Sequence, residues 1–235
     1  MKKLNLFLSL IVILMIGTLA SAQTVDDLIA KSTAAMGGQS AIDAVKSIRM
    51  KISGTYLGGE VEMEVNIEKP DKKWSSMSFK ALGMEIISAT NGTDYWMSQN
   101  GKVVDMPLGT KEQFWSSFHQ YSTTGAANLI GNGTFIYSGK EDVDGINADV
   151  VKGVMTGSGA LSIYFDETGL PFRMLMPSEG GALNMYMTNY HDVGGMLIAY
   201  KYEQIVNDTS QMVLEITEVE ANANIDSSTF DRPAK

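Results

Sequence analysis

The side chains able to do chemistry are few and scattered. The chain holds two histidines, His119 and His191, and no cysteine; with no thiol beside either imidazole, a transition-metal site is not expected. His119 lies in an aromatic stretch and reads as a packing residue, whereas His191 with Asp192 precedes a glycine turn and reads as a solvated pair. Gly157-Ser158-Gly159 lacks the glycine spacing of a nucleophile elbow, and Gly131-Asn132-Gly133 is not followed by the lysine of a phosphate loop. Both read as turns. Asp142-Val143-Asp144-Gly145-Ile146-Asn147 opens like a calcium loop but lacks the third acidic ligand before the glycine and the distal glutamate, so a hairpin tip is expected there. Glu60, Glu62 and Glu64 stand in the open on a wet face and are expected to form a solubilising surface. Asn91-Gly92-Thr93, Asn132-Gly133-Thr134 and Asn207-Asp208-Thr209 match glycosylation acceptors, and in a bacterial chain they are turns. No triad, metal set or buried carboxylate pair emerges. The chain is therefore not read as an enzyme, and no cofactor or metal is implied.

What the sequence does offer is an apolar surface rich in thioethers. Met63, Val65 and Ile67 alternate with the glutamates in the period-two pattern of a strand with one wet and one dry face. Met77 with Phe79, Met84 with Ile86, Leu183 with Met185 and Met187, and Met212 with Leu214 and Ile216 share strand parity within their own segments. Long flexible thioethers repack around variable acyl chains more cheaply than branched side chains do. This dry face is the candidate ligand site, with Met63, Val65, Ile67, Met77, Phe79, Met84, Ile86, Trp96, Met185, Met187, Met212 and Leu214 lining a hydrophobic cavity. The same residues would also fill an ordinary core, and at this level that alternative stands.

The elements that must position these residues follow from punctuation. Thr24 caps a helix that ends at Gly37-Gly38, and Ser40 is expected to cap a second short one. Extended segments then run over Ser47 to Leu57, Glu60 to Glu68, Lys72 to Phe79 and Leu82 to Ala89, with a hairpin across Asn100-Gly101. Thr110 and Gln113 have capping-box spacing, and Phe114, Trp115, Phe118 and Tyr121 follow at helical intervals. This aromatic helix completes the core or, with Phe114, Trp115 and Phe118, forms a lid across the dry face. From Phe135 the chain returns to strands divided by turns at Asp144-Gly145, Thr168-Gly169, Gly180-Gly181, Gly194-Gly195 and Asn207-Asp208. The spacings leave no room for crossover helices, so the strands are antiparallel. The expected fold is α+β: a curved antiparallel sheet with a few helices on its concave side.

Lys2 and Lys3 precede the apolar run Leu4 to Leu19, and Ala20-Ser21-Ala22 supplies a cleavage motif before Gln23. Residues 1 to 22 are expected to be a cleaved export signal and 23 to 235 one mature domain, since the run is short for a retained bilayer span. With no cysteine to carry a lipid anchor, a soluble periplasmic monomer without stable membrane insertion is expected. Loss of the two lysines leaves 16 basic against 27 acidic residues, a net charge of -11, which disfavours nucleic acid as a partner. Without disulfides an exported domain must be held by its core alone.

The order of residues resembles the periplasmic lipoprotein carriers of the LolA family and their wider superfamily, in particular a Bacteroidetes-type branch. Four places carry the resemblance: Glu68-Lys69-Pro70 followed by Trp74; Asn91-Gly92-Thr93-Asp94-Tyr95-Trp96; Tyr164 to Leu170; and Ile225-Asp226 with Phe230 and Pro233. Met36-Gly37-Gly38 and Asp142 to Gly145 resemble the branch. The resemblance implies an incomplete β-barrel with helices in its mouth, a hydrophobic cavity for the acyl chains of lipid or lipoprotein, and a role in outer-membrane lipoprotein sorting. A non-transporting envelope sensor of the same fold, with a protein partner, is the alternative. In the carriers an arginine before the proline is linked to holding the closed form. Here Lys69 occupies that gating position, and its point charge cannot reproduce a guanidinium fork.

Overall fold

The computed structural model describes residues 23–105, 130, 133–155, 159–178 and 180–233. The export segment 1 to 22, the aromatic helix with Phe114, Trp115 and Phe118, and His119 lie outside the described residues.

At Thr24 the hydroxyl accepts the Asp27 N–H at 3.1 Å while the Asp27 carboxylate accepts the Thr24 N–H at 2.9 Å. This reciprocal cap satisfies two donors that helix geometry leaves orphaned and starts α1 (Val25–Ala35). Gly37 and Gly38, at φ 107° and 84°, then turn the chain into α2 (Gln39–Ala44). The sharp turn makes Gly38 the N-cap of α2, without a side-chain bond, in place of the Ser40 cap expected from the sequence. Gly37 is also needed for space, because a Cβ there would stand 2.0 Å from the Gly195 carbonyl oxygen.

The strands are β1 (Ser47–Tyr56), β2 (Gly59–Glu68), β3 (Lys72–Phe79), β4 (Met84–Thr90), β5 (Tyr95–Gln99) and β6 (Lys102–Asp105), then β7 (Gly133–Val143), β8 (Ile146–Met155), β9 (Gly159–Phe165), β10 (Pro171–Ser178), β11 (Gly181–Val193), β12 (Met196–Val206) and β13 (Thr209–Ala221). They form one 13-stranded sheet in the order β6-β5-β4-β3-β2-β1-β13-β12-β11-β10-β9-β8-β7. Every pairing is antiparallel. Two meanders, β1 to β6 and β7 to β13, are thus zipped together by the first and last strands, and the outer strands β6 and β7 are consecutive among the described strands. At the seam a register shift at Lys51/Ile52 accommodates Thr217, whose hydroxyl donates to the Lys51 carbonyl at 3.2 Å.

Alternation decides which face is dry. Ile52, Val65, Ile163, Phe165 and Leu214 fall in one buried cluster with Leu28 of α1 and Ile42 of α2. Strands as far apart in the order as β2 and β9 bury side chains in that cluster, so the sheet curls around it and stays open between β6 and β7. The helices sit on the concave side. The architecture is the expected α+β incomplete barrel. Past β13, a 3-10 turn (Ser227–Phe230) folds back on the convex face, where Ala223, Ile225 and Phe230 pack with Trp74. Among the described residues no helix is long and apolar enough to cross a membrane.

Candidate functional site

Register places the proposed ligand-lining residues with one exception on the concave face. Val61 of β2 stands opposite Gly54 of β1, which faces Leu214 of β13, then Tyr202 of β12 and Met187 of β11. Met63 faces Met77, and Met77 faces Ile86; Val61 faces Phe79, and Phe79 faces Met84. Met185 and Met212 both pair with Gln204 and so join the same side. Val65 and Ile67 follow Met63 by strand parity.

Burial grades across this face. Val65 and Leu214 are fully buried, and Met63, Ile67, Met185, Met187 and Met212 nearly so. Toward β3 to β5 the apolar side chains Met77, Phe79, Met84, Ile86 and Met97 are only half-buried. At the rim the Phe79 ring meets Tyr56 edge-on at 5.6 Å, beside turns that leave Leu57 64% and Leu82 71% exposed. The concave surface therefore runs from a solid core to a partly accessible apolar strip.

Trp96 is the exception and corrects the expectation. It pairs with Ala89, which pairs with Trp74, Asn66 and Arg49 in turn, so it belongs to the convex face. Its indole N–H donates to the Phe230 carbonyl at 3.2 Å. The tryptophan is buried at 2% exposure because the C-terminal turn covers it. His191 and Asp192 are both exposed, as expected for solvated residues before the glycine turn, but each has its own neighbour: the His191 ring lies 4.4 Å from that of Tyr200, and the Asp192 carboxylate accepts the Gly195 N–H at 3.1 Å, capping the turn.

Charged groups tie the helices to the barrel. Lys69 Nζ donates to the Ile42 carbonyl at 2.6 Å, a cation at the C-terminal end of α2 where the helix dipole favours it; burial holds its pKa below the usual lysine range. Asp149, 1% exposed, shares the concave parity of Val151. Its carboxylate accepts from Tyr137 at 2.9 Å, pairs with Lys140 at 2.9 Å and reaches Lys31 of α1 at 3.5 Å. Burial alone would raise its pKa, but the bonds from Lys140 and Tyr137 outweigh that and hold it below the usual carboxylate value.

No motif or residue pattern in the sequence singles out Lys73. Its parity with Ser75, Met77 and Phe79 places it on the concave face, between Ile67 and Thr90. The convex face carries a polar groove of about 390 Å³ lined by Lys51, Ser53, Glu62, Glu64, Ser76 and others. Around it Lys51 pairs with Glu218 at 2.7 Å and Lys80 with Glu62 at 2.8 Å, as a solvated charged surface does. Among the described residues no group of three or more acidic, histidine or cysteine side chains is placed to hold a metal ion.

No protein-family model matches the sequence, and no curated protein sequence does. Solved structures do. A domain from Vibrio parahaemolyticus assigned to outer membrane lipoprotein sorting superposes with a TM-score of 0.58 at 12% identity, covering 86% of this chain and 96% of that one. A LolA superfamily protein from Nitrosomonas europaea gives 0.55 at 12% identity, over 86% and 97% of the two chains. The chain has the LolA-like fold. A DUF1329 family protein from Desulfovibrio piger, with a TM-score of 0.56 at 13% identity over 82% and 92%, is similar to it as well. In this LolA-like barrel the half-buried strip on β3 to β5 lies inside the curl of the sheet, and Lys69 joins the end of β2 to a helix.

Proposed function

We propose that the protein is a periplasmic carrier or binding protein that accommodates the acyl chains of lipid or lipoprotein against its concave face, in outer-membrane lipoprotein sorting and without chemical turnover. The observation that supports this most directly is the half-buried apolar strip Met77, Phe79, Met84, Ile86 and Met97 on the inside of an open barrel. Met77, Phe79 and Met97 pack against the core cluster and keep part of their apolar surface exposed on the inner face. Each methylene buried there contributes about 0.8 kcal/mol, so long chains bind without any specific polar contact. A carrier must offset much of that to release its cargo, and the Phe114, Trp115 and Phe118 segment is the proposed lid. The solved LolA-like structures, one assigned to lipoprotein sorting, support the fold on which this reading stands.

The test is native mass spectrometry of gently purified protein, followed by delipidation and titration with an acylated peptide. Co-purifying lipid and saturable uptake are the expected results. A lipid-free protein that takes up no acylated peptide, yet captures one envelope protein stoichiometrically, would replace the carrier by the sensor of the same fold.

A further inference from the structure

Among the described residues, five two-residue turns join neighbouring strands with positive φ at both positions, the geometry that fits the twist of a hairpin. Four of them open with residues that tolerate this conformation: Asn100, Asp144, Gly194 and Asn207. The fifth, between β1 and β2, opens with Leu57 at φ 50°. A bulky aliphatic residue is disfavoured in the left-handed region, and at 64% exposure Leu57 gains little from packing in return. Nor is the turn frayed, since the Leu57 N–H donates to the Gln211 carbonyl at 2.7 Å. Folding supplies no reason for a leucine at this tip, and backbone strain of this kind gathers at functional sites.

Leu57 does not stand alone. The 3-10 turn Lys80–Leu82, between β3 and β4, lies against the same hairpin, so that a Cβ on Gly59 would be 3.8 Å from that of Ala81. Leu82 on this turn is 71% exposed, and Tyr56, edge-on to Phe79, is 40% exposed. Antiparallel order puts both turns at one end of the sheet, between the polar tips Asn100-Gly101 of β5 and β6 and Asn207-Asp208 of β12 and β13. The apolar side chains are thus gathered on two touching, convex tips.

We propose that Leu57, Leu82 and Tyr56 form a contact tip that enters the interfacial layer of a zwitterionic phospholipid bilayer. Size argues against a protein partner: three side chains fall far short of the roughly 800 Å² per partner that a stable protein interface buries. A bilayer, in contrast, accepts isolated apolar side chains and takes tyrosine at the level of its headgroups. Charge argues against an anionic surface. Glu60 and Glu62 follow the tip on β2, Lys80 is paired with Glu62 at 2.8 Å, and the chain carries a net charge of -9. Two leucines and a tyrosine give weak, reversible attachment and not anchoring. The tip acts in this way whether or not the concave face holds acyl chains.

The chain has no cysteine, so Ala81→Cys, exposed next to Leu82, carries an environment-sensitive fluorophore at a single site. Titration with phosphatidylcholine vesicles should shift its emission to the blue, and spin-labelled lipid should quench it. The same dye on Glu167→Cys, in the exposed turn between β9 and β10 at the opposite end of the sheet, should do neither. Salt or added anionic lipid should change the titration little. Leu57→Asn and Leu82→Asn, each in the labelled protein, should weaken binding by about tenfold. Unlabelled Leu57→Asn should melt at the temperature of wild type or slightly above it, since asparagine suits the turn. No blue shift with vesicles, a shift that survives in both leucine variants, or binding that requires anionic lipid overturns the proposal. A shift that appears without vesicles as protein concentration rises would put a second copy in place of the bilayer, and a lower melting temperature of Leu57→Asn would make Leu57 a packing residue; either result overturns it too.

Discussion

Lys69 Nζ stands 2.6 Å from the main-chain oxygen of Ile42, so the residue that follows β2 holds the last turn of α2 against the sheet. The Lys69 N–H in turn donates to the Lys46 carbonyl at 2.9 Å. A helix of six residues is too short to persist alone, and it keeps its place through Ile42 in the core and through this bond.

Lys69→Met should therefore lower stability to chemical denaturation by about 1 to 2 kcal/mol. Amide exchange should accelerate at residues 42 to 46 more than in β12 or β13. Lys69→Arg, whose guanidinium can also reach a carbonyl, should restore most of the protection. Unchanged exchange in Lys69→Met would show that packing of Ile42 alone holds the helix.

Much of the fold was legible because alternation and turn chemistry are local. Val61 to Ile67 alternate with glutamates, and the turns Asp144-Gly145 and Asn207-Asp208 adopt the positive φ values that such pairs tolerate. What was not legible depends on distant chain. Only the register between strands shows that Trp74 and Trp96 share a face of the sheet, and a turn more than a hundred residues later covers that face. Local pattern thus assigned Trp96 to the wrong dry side. A lysine in a strand is ordinarily solvated, so local pattern does not mark Lys73 as buried, and the Lys31 to Asp149 contact spans 118 residues that no local pattern connects.

Asp149 should make stability depend on acid. Its folded pKa lies below the ordinary 3.8, so its contribution is present above that value and is lost as pH falls through the folded pKa. At pH 7, Asp149→Asn should be less stable than wild type by about 1 to 3 kcal/mol, because Tyr137, Lys140 and Lys31 lose a shared acceptor. The gap between the two melting curves should narrow below pH 4 and close once the wild-type carboxyl is protonated. A constant gap from neutral to acid pH would assign the cost to packing.

Phe230 and Trp96 should matter to stability and not to ligand uptake. Phe230 is fully buried on the convex face and Arg232 clamps Asp94 through two contacts of 2.8 Å, so the C-terminal turn is part of the folded unit. Phe230→Ala should cost about 3 to 5 kcal/mol. Trp96→Phe gives up both part of the buried indole volume and the bond to the Phe230 carbonyl, for about 1 to 3 kcal/mol. Acyl-chain binding by folded Trp96→Phe should equal that of wild type; a loss of binding would return Trp96 to the cleft.

The strip on β3 and β4 should behave in the opposite way. Ile86 and Met77 face each other and are half-buried, so Ile86→Gln or Met77→Gln removes less packing from the folded protein than a change in the solid core and should cost about 1 kcal/mol or less of stability. If an acyl chain lies against them, each substitution places an amide where hydrocarbon must desolvate it, and binding of an acylated peptide should weaken by about tenfold. Val65→Ala on the same face, where Val65 is fully buried, should do the reverse: a stability loss of about 1 to 3 kcal/mol with affinity unchanged in the folded protein. The pairing of the two results is what identifies a binding surface, since a plain core would lose stability at all three positions and gain no ligand at any of them.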